Sequence, residues 1–177
     1  MLALLRTLFD IVRLRKGPDA IPYSWLACLL ALLLWLIAGL STSMAIPGMG
    51  DEDFLYGTFT GVVGLAAYAA IIVSSGYTPR LLQTVTAILG SGALISFMFL
   101  AASMLLPPLF AAVPFLGQNA VSIVVTLILL WSIPVEGHII ARAIDRHWYL
   151  GIAVAMAVFV FQLYLYSAVN PYAGGAT

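Results

Sequence analysis

Five stretches of about twenty residues run through this chain almost without charge, at about 22–42, 54–75, 82–106, 119–140 and 148–168. A helix needs ~20 apolar residues to cross the ~30 Å of hydrocarbon in a bilayer. Lipid offers no hydrogen-bond partners to a backbone, so segments of this length can span only as helices. The pattern predicts an all-α fold: an integral membrane bundle of five transmembrane helices. Composition agrees, because 8% of the 177 residues are charged and mean hydropathy is +1.11. A soluble domain carries roughly 25% charged residues to face water, so the solvent of this chain must be largely lipid.

Residues 1–17 read differently from the five-helix domain expected over residues 18–177. Leu2, Leu5, Phe9 and Val12 recur at helical spacing, with Leu4, Leu8 and Ile11 widening the stripe. Arg6, Asp10 and Arg13 fall on the opposite side, and Arg6 with Asp10 has the spacing of an i, i+4 ion pair. Such a segment is too charged to span and too apolar to float free. It predicts an amphipathic helix lying in the interface or docked on the cytoplasmic ends of the other helices. A cleavable signal peptide is not expected, because Asp10 and the Arg13, Arg15, Lys16 cluster interrupt and follow the apolar stretch. Gly17-Pro18 then breaks the helix and Pro22 starts the next.

Breakers and polar residues separate the spans: Pro47-Gly48 with Asp51-Glu52-Asp53, Tyr77-Thr78-Pro79-Arg80, Pro107-Pro108 with Pro114 and Gly117-Gln118, and a short turn from Arg142 to His147. With the N-terminus inside, Arg6, Arg13, Arg15, Lys16, Arg80, Arg142 and Arg146 all fall on the cytoplasmic side. An even number of spans breaks this sorting. The charges therefore predict a cytoplasmic N-terminus and an external C-terminus. Tyr23, Trp25, Tyr77, Trp148 and Tyr149 mark the inner interface, and Phe54, Tyr56, Tyr166 and Tyr172 the outer one. The charge sorting and the lack of an Asn-x-Ser/Thr sequon point to a bacterial inner membrane.

Formal net charge is zero, which leaves no footprint for nucleic acid. A single cysteine, Cys28, excludes an internal disulfide. Nucleotide-binding glycine loops, zinc-protease motifs, nucleophile elbows and haem-attachment motifs are absent, so neither a cofactor nor catalysis by the chain alone is expected.

Small residues are expected to let helices approach in lipid, where apolar contact gains little. Gly57, Gly61 and Gly64 share a face of the second span, for bundle packing or dimerisation. Ala87 and Gly90-Ser91-Gly92 in the third span and Gly151 with Ala155 in the fifth offer similar faces. Glu136 is the residue most open to a functional reading, since an intramembrane carboxyl marks a proton relay, an ion path or a buried partner. The alternatives are snorkelling to the inner interface or a hydrogen bond to a neighbouring helix. Pro134 and Gly137 allow a kink beside it. His138, Arg142 and Asp145 form a polar stripe at the cytoplasmic end. Glu136 and His138 are two residues apart and point away from each other on a helix, which argues against a metal site. The Asp51-Glu52-Asp53 trio reads as a solvated acidic loop, and Gln162 as an amide bonded to another helix.

The arrangement resembles the bacterial branch of the Yip1-like family of small polytopic membrane proteins. The resemblance runs through Arg15-Lys16-Gly17-Pro18-Asp19 with Pro22, through Thr78-Pro79-Arg80-Leu81-Leu82-Gln83-Thr84 leading into a span that ends in Pro107-Pro108, and through Trp131 to Ala143 with its His138/Arg142 region. Eukaryotic members are trafficking factors with a longer cytosolic N-terminus that meets small GTPases. Neither that extension nor an Asp-Leu-Tyr-Gly-Pro motif is found here, so their role is not carried over. For bacterial members the resemblance implies an inner-membrane helical bundle. Two functions are then expected: a non-catalytic accessory, assembly or organising subunit that contacts lipid and other membrane subunits or itself, or a small transporter or channel component using Glu136. A weaker third is a lipid-sensing or membrane-shaping role for residues 2–16.

Overall fold

The computed structural model describes residues 2–46, 49–109 and 114–170. The Pro47-Gly48 breaker, the polar tail after Asn170 and the expected interfacial Tyr172 lie outside the described residues. Among the described residues six α-helices follow one another: α1 (Leu2–Val12), α2 (Trp25–Ala45), α3 (Asp51–Ser74), α4 (Leu81–Leu109), α5 (Pro114–Ala143) and α6 (Trp148–Val169). The last five are long and apolar enough to cross a membrane.

Helix ends differ from expectation for local reasons. Pro22 does not start α2; Ser24 does, its Oγ accepting from the Ala27 amide at 3.4 Å. The acidic trio is not a loop but the first turn of α3, where carboxylates complement the positive end of the helix dipole. The Gly50 amide donates to Asp53 Oδ2 at 2.9 Å. Pro107 and Pro108 do not stop α4, which runs through both to Leu109. Their fixed φ is already helical, and they fall in the last turn, where each removes one hydrogen bond at the end of the helix. Pro114 opens α5 rather than separating it from α4, as suits a residue with no amide hydrogen to leave unpaired. Gly117 and Gln118 lie inside that helix.

Hydrogen bonds define two ends of the bundle. At one, Gln83 donates to the Ile21 carbonyl at 2.6 Å, and Arg80 donates to the carbonyls of Arg142 and Ala143, capping α5. At the other, Tyr166 and Asn170 donate to Asp53. The chain's basic loops lie at the first end and its acidic turn at the second.

Packing is concentrated toward the basic end. In α4 the buried residues run from Leu82 to Ile95 and stop there. In α5, from Asn119 onward, they begin at Ile133. Between α5 and α6 the backbones touch: a Cβ on Gly151 would collide with the Gly137 carbonyl oxygen, and one on Gly137 would lie 2.8 Å from Ile152 Cα. Lipid-exposed helices gain most from such close approach. Gly137 therefore serves as a contact point, and α5 passes through Pro134 and Gly137 as one helix.

The short α1 packs on α4 and α5 with Leu8, Ile11 and Val12 buried. Leu8 fills the space over Gly90, and Trp131 Nε1 donates to the Val12 carbonyl at 3.1 Å. Gly90 is nine residues into α4, so α1 sits ~13 Å along the bundle from that end, rather than across it. Beyond Val12 the chain turns through Leu14, at φ 59°. The turn brings Lys16 to Asp10 at 2.8 Å, and this pair replaces the expected Arg6–Asp10 bridge. The hydrogen bond from Lys16 holds the Asp10 carboxyl below its ordinary value.

Candidate functional site

The buried face of α3 is Thr60, Gly64, Tyr68 and Ile72, spaced at four-residue intervals. Three of these positions carry polar contacts to other helices. Tyr68 is 2% exposed and its hydroxyl donates to Glu136 Oε2 of α5 at 2.5 Å. Gln162 of α6 lies over Gly64, where a Cβ would meet its amide, and donates to the Thr60 carbonyl at 3.1 Å. About two turns further toward the acidic end, Asp53 Oδ1 accepts from Tyr166 at 2.7 Å and from Asn170 at 3.2 Å. These groups form a discontinuous polar seam where α3 meets α5 and α6, with neighbouring rungs ~10–12 Å apart along the helix.

Glu136 is the chemical centre of interest in this seam, at the rung nearest the basic end. Its observed partner is a neutral phenol, and the ion pair among the described residues, Lys16–Asp10, lies elsewhere. A carboxyl and a phenol in hydrogen-bond contact can share or pass a proton, and either can equally pin one helix to another. His138 is not part of this centre. Its Nε2 lies 3.2 Å from the Lys16 carbonyl, so opposite faces of one turn of α5 serve different neighbours. Arg142 packs its side chain at Gly17 while its carbonyl accepts from Arg80. Asp145 lies past the end of α5 at φ 55° and does not continue a stripe with His138 and Arg142. Among the described residues no group of three or more His, Cys, Asp or Glu side chains is placed to hold a metal ion.

The three glycines of α3 have different surroundings. Gly61 receives the Trp35 ring, Gly64 receives Gln162, and Gly57 has nothing within 4 Å of where a Cβ would stand. Arg6, Arg13, Arg15 and Lys16 are all exposed, with Arg13 stacked 5.6 Å from the Phe9 ring centroid.

Residue type does not single out Tyr68, and it marks Asp53 only as part of an acidic loop and Tyr166 only as an outer-interface ring, without joining them. A signal for Tyr68 exists: it sits far inside an apolar span, where tyrosine lacks the interfacial water it usually meets. Asp53 and Tyr166 meet only through the fold, 113 residues apart.

In the acidic half a groove lies between α4 and α5. The space between them, about 260 Å³, is lined by Ile95, Met98, Val124, Leu127, Ile128 and Trp131. No protein-family model matches this chain, and no curated protein or solved structure matches it.

Proposed function

We propose that this chain is a non-catalytic, multi-pass subunit of the bacterial inner membrane that organises or assembles a larger membrane complex. The observation that carries this reading is the open seam between α4 and α5. Helices in lipid associate through van der Waals contact, and a seam between two of them wastes that contact unless something fills it. An apolar helix of another subunit fits such a seam. The sorting of every lysine and arginine supports a cytoplasmic basic end and an external C-terminus. The exposed charges of α1 support its placement where water and headgroups reach the bundle. The Thr78 to Thr84 and Trp131 to Ala143 segments support a kinship with Yip1-like proteins. The reading calls for no cofactor, metal or nucleic acid.

Native mass spectrometry of the protein purified in nanodiscs tests it. The expected result is a stoichiometric membrane partner that is lost when Val124→Trp fills the seam. A lone monomer or homodimer, unchanged by that substitution, sinks it.

A second reading, a small transporter or channel component, is favoured by the Tyr68–Glu136 contact and the polar seam along α3. Glu136→Gln separates the two. Loss of transport with assembly intact supports the second reading, and intact transport removes its motivation.

A further inference from the structure

Inside the acidic half lies a second cavity, of about 370 Å³, lined by residues of α2, α3, α4, α5 and α6. Its walls are mainly apolar and aromatic, with Trp35, Phe54 and Phe99 prominent, and Asp53 and Tyr166 also face it. The volume is within the ~300–1,000 Å³ range of small-molecule sites, which combine apolar walls with a few placed polar groups.

Charge selects the occupant. Asp53 is held by three neutral donors: the Gly50 amide, Tyr166 and Asn170. All seven lysines and arginines of the chain belong to residues 6–16, 80, 142 and 146, and none lines the cavity. Asp51 and Glu52 are exposed in the same first turn of α3. The cavity thus pairs an oriented carboxylate with aromatic faces and no cation of its own. Carboxylates and aromatic faces both attract organic cations. Gly57 contributes to the wall with bare backbone and free space where a side chain would stand.

We propose that this cavity binds a monovalent organic cation with a bulky apolar body, its charge beside Asp53 and its body between α2, α3 and α4. The site does not depend on the protein having a partner subunit.

The test uses the full chain in nanodiscs of zwitterionic lipid, with empty discs as the blank. Tetraphenylphosphonium and tetraphenylborate have matched shape and opposite charge, and each is measured by equilibrium dialysis. Saturable binding of the cation and not of the anion is expected. Asp53→Asn, which keeps an acceptor for Tyr166, should weaken it by roughly five- to tenfold. Gly57→Leu should abolish it by filling the cavity without touching the carboxylate, and helical circular dichroism confirms that each variant is folded. Equal saturable binding of the anion, cation binding indifferent to Gly57→Leu, or no saturable binding by the folded wild-type chain overturns the proposal.

Discussion

Gly57 and Gly151 look alike in the sequence, each a glycine in an apolar helix beside other small residues, yet their substitution should act in opposite directions. A Cβ on Gly151 would strike the Gly137 carbonyl and lie 2.7 Å from Ala141 Cβ, and neither can move aside without separating α5 from α6. Gly151→Ala should cost ~1–3 kcal/mol, the usual range for forced overpacking. Gly57→Ala meets nothing and should be neutral or stabilising by ~0.5–1 kcal/mol through helix propensity. Thermal unfolding in one detergent compares them directly; equal losses would mean the α5–α6 contact is not close. Tyr68→Phe removes the observed donor to Glu136 Oε2 and should cost ~1–3 kcal/mol. Adding Glu136→Leu to it should cost less than the two single changes together, because the carboxyl no longer needs a partner. Strict additivity would show that the contact contributes little. At this scale the sequence exposed Glu136, because a charge in an apolar run is conspicuous. It concealed Tyr68, Asp53 and Tyr166, whose meaning depends on which residues of distant helices they face.

At the scale of elements, hydropathy located all five long helices, since the thickness of the hydrocarbon dictates their length. Their ends were harder to read because termini obey local chemistry: a serine cap at Ser24, carboxylates on the first turn of α3, prolines tolerated at the end of α4. The least legible element was α1. Its apolar stripe was readable, but its seat beside Gly90 and Trp131 depends on the groove that α4 and α5 make together. Trp131→Phe and Leu8→Ala should each loosen α1 alone, raising hydrogen exchange of residues 2–12 while leaving the other helices protected. Exchange rising across the whole bundle would make α1 part of the global fold. The Asp10–Lys16 pair adds a pH dependence of known sign. The folded carboxyl has the lower pKa, so its contribution is present above the ordinary carboxylate range and is lost as pH falls through the folded value. The pair is exposed to solvent, so acid below about pH 4 should loosen α1 only slightly, and Lys16→Ala should remove that response.

In the molecule as a whole, charge sorting and helix count depend on each other. Five crossings would place the basic loops on one side of a membrane and the acidic turn of α3 on the other, whereas four or six would mix them. Burying a charged residue at mid-bilayer costs at least ~2.5–3.5 kcal/mol, so seven basic residues strongly resist any rearrangement that carries them through lipid. The single native cysteine makes this directly measurable, because Cys28→Ala leaves a background with no thiol. In that background, Asp19→Cys and Asp145→Cys should react with a membrane-impermeant maleimide only from the cytoplasmic side, and Glu52→Cys only from the outside. Arg13→Cys carries the most information. It lies immediately past the end of α1, which is seated ~13 Å along the bundle from the basic end, yet the residue itself is exposed. Reaction from the cytoplasmic side would mean that water reaches that depth and that the ends of α4 and α5 project beyond the hydrocarbon. Protection of Arg13→Cys beside a reactive Asp19→Cys would instead place α1 within the lipid as a half-inserted helix. Labelling of Glu52→Cys and Asp145→Cys from the same side would overturn the five-span topology itself.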